Sequence, residues 1–238
     1  MAKIRKFPQH VFAEMTRFSD QSGRWYLDEK SDCFLVRNKT RIVFSQSDHL
    51  IGTVIMTNPG SYGLNEVEGW EEFRSGKGEI QQLTGYGYPD PTMRNIIKVV
   101  QEAFKCCGKL IPEGFIDILN ISNAVCPKGQ NAVEYHNELN LLLKRHNYNN
   151  HLLESREVHE NLSVTFDKSP FVILGFVQKS FDHKVNDILK SSIEYSSKIV
   201  IAQDRKNWPS HPRRWGIEKD LAEKAISNLA QVIEKKYA

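Results

Sequence analysis

The sequence predicts an α/β protein with three layers, αβα, around a central four-stranded, mostly parallel sheet, with a hairpin added on the N-terminal side. Three observations carry this expectation. There are four short apolar runs rich in β-branched residues, as strands buried on both faces require. Helical stretches separate them, and no repeat, heptad run or Pro/Ser-rich linker divides the chain. The 238 residues are therefore read as one domain, 1–238.

The elements follow in order. Within an N-terminal extension, 1–50, residues 33–37 and 41–44 flank Asn38-Lys39-Thr40, which predicts a hairpin at the sheet edge. The first apolar run is 51–57. An insertion, 61–90, carries Gly63, Gly69, Gly76, Gly78, Gly85 and Gly87 among Trp70, Phe73, Tyr86 and Tyr88, and reads as a functional glycine-rich loop. Asp90-Pro91 supplies an N-cap and a proline at the first helical position for a helix over 91–105, with Met93, Ile96, Ile97, Val100 and Phe104 at helical spacing. The second run is 115–119, a helix is predicted over 132–146, and the third run is 171–174. A short helix over 181–189 connects it to the fourth run, 198–202, which makes parallel strands the expected arrangement. A last helix over 217–235 aligns Leu221, Ala225, Leu229 and Val232 on one face.

Composition excludes several classes. Apolar residues are 40% and charged residues 26%, and no apolar stretch approaches the roughly 20 residues that span a bilayer, so no membrane segment is expected. The first residues, Met1 to His10, are basic without the apolar core of a secretory signal, which predicts a cytoplasmic protein. Cys33, Cys106, Cys107 and Cys126 form no C-x-x-C pair and are poorly spaced for an iron–sulfur cluster; no metal and no cofactor is expected. There is no Walker loop or G-x-S-x-G elbow, and no obligate protein partner is evident. A net charge of +3 and a pI near 8.6 permit DNA as a partner.

Ligands of open parallel sheets bind beyond the carboxyl ends of the strands. The first run ends in Asn58-Pro59-Gly60-Ser61-Tyr62-Gly63, the second in Asn120-Ile121-Ser122-Asn123, and the fourth opens into a loop over 203–215 that contains His211-Pro212. These three landmarks, in this order, resemble the uracil-DNA glycosylase superfamily, whose mismatch-specific and single-strand-selective branches use Asn-Pro-Gly at the first position. The resemblance spans about 51–215 in strand order. It departs at the late motif, where His211-Pro212 precedes Arg213-Arg214 and the family's serine is absent. The chain also looks like an uncharacterised bacterial family with an Asp-Pro-Thr-x-Arg helix start, matched by Asp90-Pro91-Thr92-Met93-Arg94.

The resemblance implies a monofunctional DNA glycosylase that flips a base and leaves an abasic site. Asn58 would orient the attacking water through its amide oxygen, and His211 would donate a hydrogen bond to the departing base. Asn120, with Asn123 as fallback, would read the base edge, while Gly60 and Tyr62 would line its pocket. Arg205, Lys206, Trp208, Arg213 and Arg214 would hold DNA. Uracil-specific relatives block the C5 side with a tyrosine where this chain has Gly60, so the expected substrate is a 5-modified pyrimidine. Hypermodified cytosine of phage DNA is one case, with antiviral defence as the role.

Each feature also has an ordinary reading. Asn58-Pro59-Gly60 is a common turn sequence, Asn120 can cap the following turn, Trp208 and Trp215 can anchor the loop, and the basic cluster can be solvated surface. Competing functions are a non-catalytic nucleic-acid-binding module of the same fold, a uracil or mismatch repair glycosylase, and a hydrolase of free nucleosides.

Overall fold

The computed structural model describes residues 8–18, 25–27, 30–60, 62–77, 79–126, 128–148 and 150–236; Ser61 and most of the basic N-terminal segment lie outside them. The strands are β1 (His10–Phe18), β2 (Trp25–Leu27), β3 (Lys30–Asp32), β4 (Phe34–Val43), β5 (Leu50–Met56), β6 (Gln82–Gly87), β7 (Phe115–Asn120), β8 (Val172–Gly175) and β9 (Ile199–Ile201). The helices are α1 (Trp70–Arg74), α2 (Pro91–Cys106), α3 (Ala132–Arg145), α4 (Arg156–His159), α5 (Leu162–Lys168), α6 (Asp182–Ser192) and α7 (Lys219–Lys236). None is long and apolar enough to cross a membrane among the described residues.

The four apolar runs are β5, β7, β8 and β9, adjacent and parallel as expected. They read as continuous apolar segments because successive side chains enter different cores. Val54 and Ile173 join the cluster under α2 and α7, whereas Ile55, Val172 and Leu174 join the one under α4, α5 and α6. On the first face Ile96, Val100 and Phe104 of α2 meet Leu221, Ala225 and Leu229 of α7; on the second, Val158, Phe166, Val185 and Ile188 close the layer.

The sheet is nevertheless seven-stranded and mixed, in the order β6-β1-β4-β7-β5-β8-β9, not four-stranded and mostly parallel. The added strands β6, β1 and β4 are antiparallel. The expected hairpin at Asn38-Lys39-Thr40 does not form, because β4 runs unbroken through it. Glu14 pairs with Lys39 and Met15 with Arg37, so Asn38 is the extra residue of a β-bulge, and its amide donates to Thr16 Oγ1 at 3.0 Å. The polar triplet thus bends a strand instead of turning it.

The glycine-rich stretch is not a structureless loop either, since it contains α1 and β6. Its glycines admit bulky neighbours. A Cβ at Gly85 would lie 2.6 Å from Val67, one at Gly87 2.7 Å from the Tyr62 hydroxyl, and one at Gly63 would collide with the Trp70 ring.

Gly114, just before β7, has φ 134°, and a Cβ there would run into the carbonyl of His49. Backbone cannot yield as a flexible side chain does. Gly114→Ala is expected to lower the unfolding free energy by about 2 kcal/mol in chemical denaturation; an unchanged midpoint would show that the β4–β5 loop gives way freely.

Candidate functional site

A cleft of about 950 Å³ opens where the parallel strands end. Three of its walls come from the carboxyl ends of strands. Met56 leads from β5 into Asn58, Pro59 and Gly60; Phe176, Val177 and Gln178 follow β8; Asp204, Arg205, Lys206 and His211 follow β9. The start of α2 (Asp90 to Met93) and the buried Arg37 of β4 complete it.

Backbone and side-chain bonds tie these ends together. Ile121 N–H and Ser122 N–H donate to the carbonyls of Met56 and Thr57, and Thr57 Oγ1 accepts the Val177 N–H at 2.8 Å. Asn58 is 5% exposed, and its Nδ2 donates to the Cys126 carbonyl at 2.8 Å. That bond sets the amide orientation and leaves the oxygen as the acceptor Asn58 can offer to the cleft it lines.

The loop after β9 is built around Asp204. Its Oδ2 accepts from Arg214 Nη1 at 2.7 Å and Gln178 Nε2 at 2.8 Å, and its Oδ1 from the backbone N–H groups of Lys206 and Trp208 at 2.9 and 3.1 Å. Burial pushes this carboxyl up, but the bonds from Arg214, Lys206 and Trp208 outweigh it and hold Asp204 below the usual carboxylate range. Further along, Ser210 Oγ donates to the Ala202 carbonyl and accepts from Trp215 Nε1. A Cβ on Gly175 would meet Pro212 and the Ser210 carbonyl, so only glycine lets β8 approach the loop this closely.

His211 stands just before a 3-10 turn, Pro212–Gly216, and its Nδ1 accepts the Arg213 N–H at 3.2 Å. Desolvation, reinforced by the Arg213 charge, lowers its pKa from 6.5 to about 4. The ring is therefore neutral at pH 7, and with Nδ1 an acceptor its proton is on Nε2. His211 is a neutral hydrogen-bond donor.

The cleft unites Asn58, Gly60, His211, Arg205, Lys206, Arg213 and Arg214. Arg205, Lys206 and Arg213 are exposed and form no ion pair among the described residues. Arg214 is committed to Asp204 and to Glu218, at 2.7 and 2.8 Å.

Tyr62, Asn120, Asn123 and Trp208 do not line the cleft. Tyr62 is buried, its hydroxyl donates to the Val11 carbonyl at 2.8 Å, and its ring lies 5.1 Å from the Arg37 guanidinium. Asn123 donates to the Leu152 carbonyl, and its own carbonyl accepts the Arg37 N–H, because the chain after β7 turns back to bridge β4 at Val36 and Ala124. Asn120 is 1% exposed, its amide oxygen without a partner among the described residues. Trp208 Nε1 donates to the Phe176 carbonyl, pinning the late loop to the end of β8.

Arg37, Gln178, Cys126 and Gln130, none of them a site candidate from the sequence, also line the cleft. Of these, Arg37 alone left a sign: a cation after Leu35-Val36 inside a strand. Among the described residues no three His, Cys, Asp or Glu side chains gather as a metal site.

Fold and site together define an α/β protein with a cleft at the carboxyl ends of parallel strands. Comparison with protein-family models, curated proteins and solved structures returns no match.

Folded-state pKa values below the ordinary ones mean that the unfolded chain takes up protons first, so the His211 contribution to stability falls as pH drops from about 6.5 through about 4. In a ¹⁵N NMR titration the His211 imidazole is expected to stay neutral, protonated on Nε2, from neutral pH down to about pH 5 and to titrate near about 4. A midpoint near 6.5 would remove the neutral donor.

Proposed function

We propose that this cleft hydrolyses the N-glycosidic bond of a flipped pyrimidine in DNA, leaving an abasic site. One observation carries the reading: a neutral imidazole donor and a carboxamide whose nitrogen is already occupied line the same cleft at the ends of parallel strands. The two motifs that reach the cleft, Asn58-Pro59-Gly60 and His211-Pro212, resemble the uracil-DNA glycosylase superfamily and supply the direction of the chemistry.

Departure of the base builds oxocarbenium character on the sugar and negative charge on the base. His211 Nε2–H meets that charge at the pyrimidine O2 without any change of protonation. Asn58, which cannot act as a base, orients the water through its oxygen; as the C1′–N1 bond breaks and the water oxygen bonds C1′, the proton the water loses goes by way of solvent to the departing base anion. Arg205, Lys206 and Arg213 hold phosphates at the rim. Lys206 is assigned to phosphates and no lysine acts as a nucleophile on the sugar, so the strand stays intact after base release.

Gly60 bears on the size of the base. Its φ of 64° already favours glycine, and a Cβ built there has nothing within 4 Å. Open space at this wall, in a cleft of about 950 Å³, suits a pyrimidine carrying a 5-substituent, including the hypermodified cytosines of phage DNA. Defence against such phage is the biological role this substrate implies, in the cytoplasm where that DNA arrives.

The test is incubation with DNAs containing uracil, mismatched thymine and 5-modified cytosines, scored for released base and abasic sites. Release is expected from the modified cytosines, and His211→Ala and Asn58→Ala should each lower the single-turnover rate by about a hundredfold. Action confined to uracil would overturn the enlarged pocket, and DNA binding without abasic sites would favour a non-catalytic module.

A further inference from the structure

Two groups on the cleft wall carry hydrogen-bonding capacity that the fold leaves unused. Arg37 is 1% exposed. Of its five N–H donors, one on Nη2 bonds the Pro59 carbonyl at 2.7 Å, Nη1 reaches the Tyr62 carbonyl only at 3.5 Å, and Nε–H has no acceptor among the described residues. Burial lowers its pKa to about 10, opposed chiefly by the charge of Asp90, which acts on it without forming an ion pair. Asp90 uses one carboxylate oxygen to cap α2 through the Met93 N–H at 2.8 Å, and its other oxygen has no partner among the described residues. Both residues line the cleft beside Asn58 and Gly60.

A buried cation with unsatisfied donors is costly unless a ligand completes it. A spare donor near a spare acceptor complements a base edge that offers an acceptor next to an amino group. Cytosine presents this pattern, ring N3 beside the N4 amino group, and a carboxylate accepting from N4 is an established way of reading it. Uracil and thymine present the reverse, N3–H beside O4, and would turn a carbonyl oxygen toward Asp90.

We propose that Arg37 and Asp90 read the Watson–Crick edge of the flipped base and select the cytosine pattern over the uracil and thymine pattern. Arg37 donates to N3, and Asp90 accepts from the exocyclic amino group. This assignment rests on the glycosylase reading for the presence of a flipped base. It fills the base-reading role that Asn120 and Asn123, which do not line the cleft, leave open.

The experiment uses bases of equal size, 5-methylcytosine and thymine, each placed in a single-stranded oligonucleotide on a 2′-fluoroarabino sugar that resists hydrolysis. Fluorescence anisotropy of the full chain should show about tenfold tighter binding of 5-methylcytosine. Asp90→Asn keeps the helix cap but adds an amide donor, and should abolish or reverse the preference. Asp90→Ser, also a cap, should leave no preference. Equal binding by the unaltered protein, or a preference that survives in Asp90→Asn, would overturn the assignment. Base release from ordinary deoxyribose, measured in parallel, separates the two ideas. Preference without release sustains the pair and refutes the glycosylase reading; release without preference refutes the pair alone.

Discussion

The cleft depends on one buried carboxylate. Asp204, 8% exposed, accepts hydrogen bonds from its own loop, from Gln178 beyond β8 and from Arg214 on the following turn. Bonds to an ionised acceptor are stronger than neutral ones, and a carboxylate this buried is tolerable only with such a full set of donors. The set draws together the two loops that carry the late wall of the cleft, and so determines where His211 stands. It also occupies Arg214, so the positive charge free at the rim belongs to Arg205, Lys206 and Arg213.

The Asn58-Pro59-Gly60 turn is held by Arg37 through the Pro59 carbonyl and by Cys126 through the Asn58 amide. Both motif residues are thus preorganised. Asn58 cannot turn its nitrogen into the cleft without losing the Cys126 bond, and His211 cannot ionise near neutral pH. In the proposed reaction the charge that forms on the base meets donors already in place, the condition under which such donors contribute most to rate.

How much was legible follows from burial. The parallel strands showed as continuous apolar runs because both their faces are covered, and α2 showed through its cap and spacing. Strands β1 and β6 did not. In β1 the buried Val11, Ala13 and Met15 alternate with half-buried Phe12 and Glu14 before Thr16, Arg17 and Phe18 are buried in succession, and in β6 Gly85 and Gly87 interrupt the pattern to admit Val67 and Tyr62. Asn38 resembled a turn residue because asparagine is common in turns, but here its amide bonds Thr16 Oγ1 on the neighbouring strand, a partner distant in sequence. At the site, residues after strand ends were legible because loop position follows from strand direction. Arg37 stood out as a cation in a strand, but its place in the cleft was hidden because it comes from an antiparallel neighbour whose pairing with β7 and the chain beyond it the sequence does not reveal, and that same pairing withdraws Asn123.

Hydrolysis of a base–sugar bond in this cleft, as proposed, leaves an isotopic record. Duplex DNA containing a 5-modified cytosine would be incubated with the protein in H₂¹⁸O, and the products weighed by mass spectrometry. Hydrolysis gives intact base released without label, an unbroken strand and, in product reduced with borohydride as it forms so that the aldehyde does not exchange, ¹⁸O at C1′ of the abasic sugar. Label on a phosphate at a cleaved strand, or DNA recovered with every base in place, would contradict it.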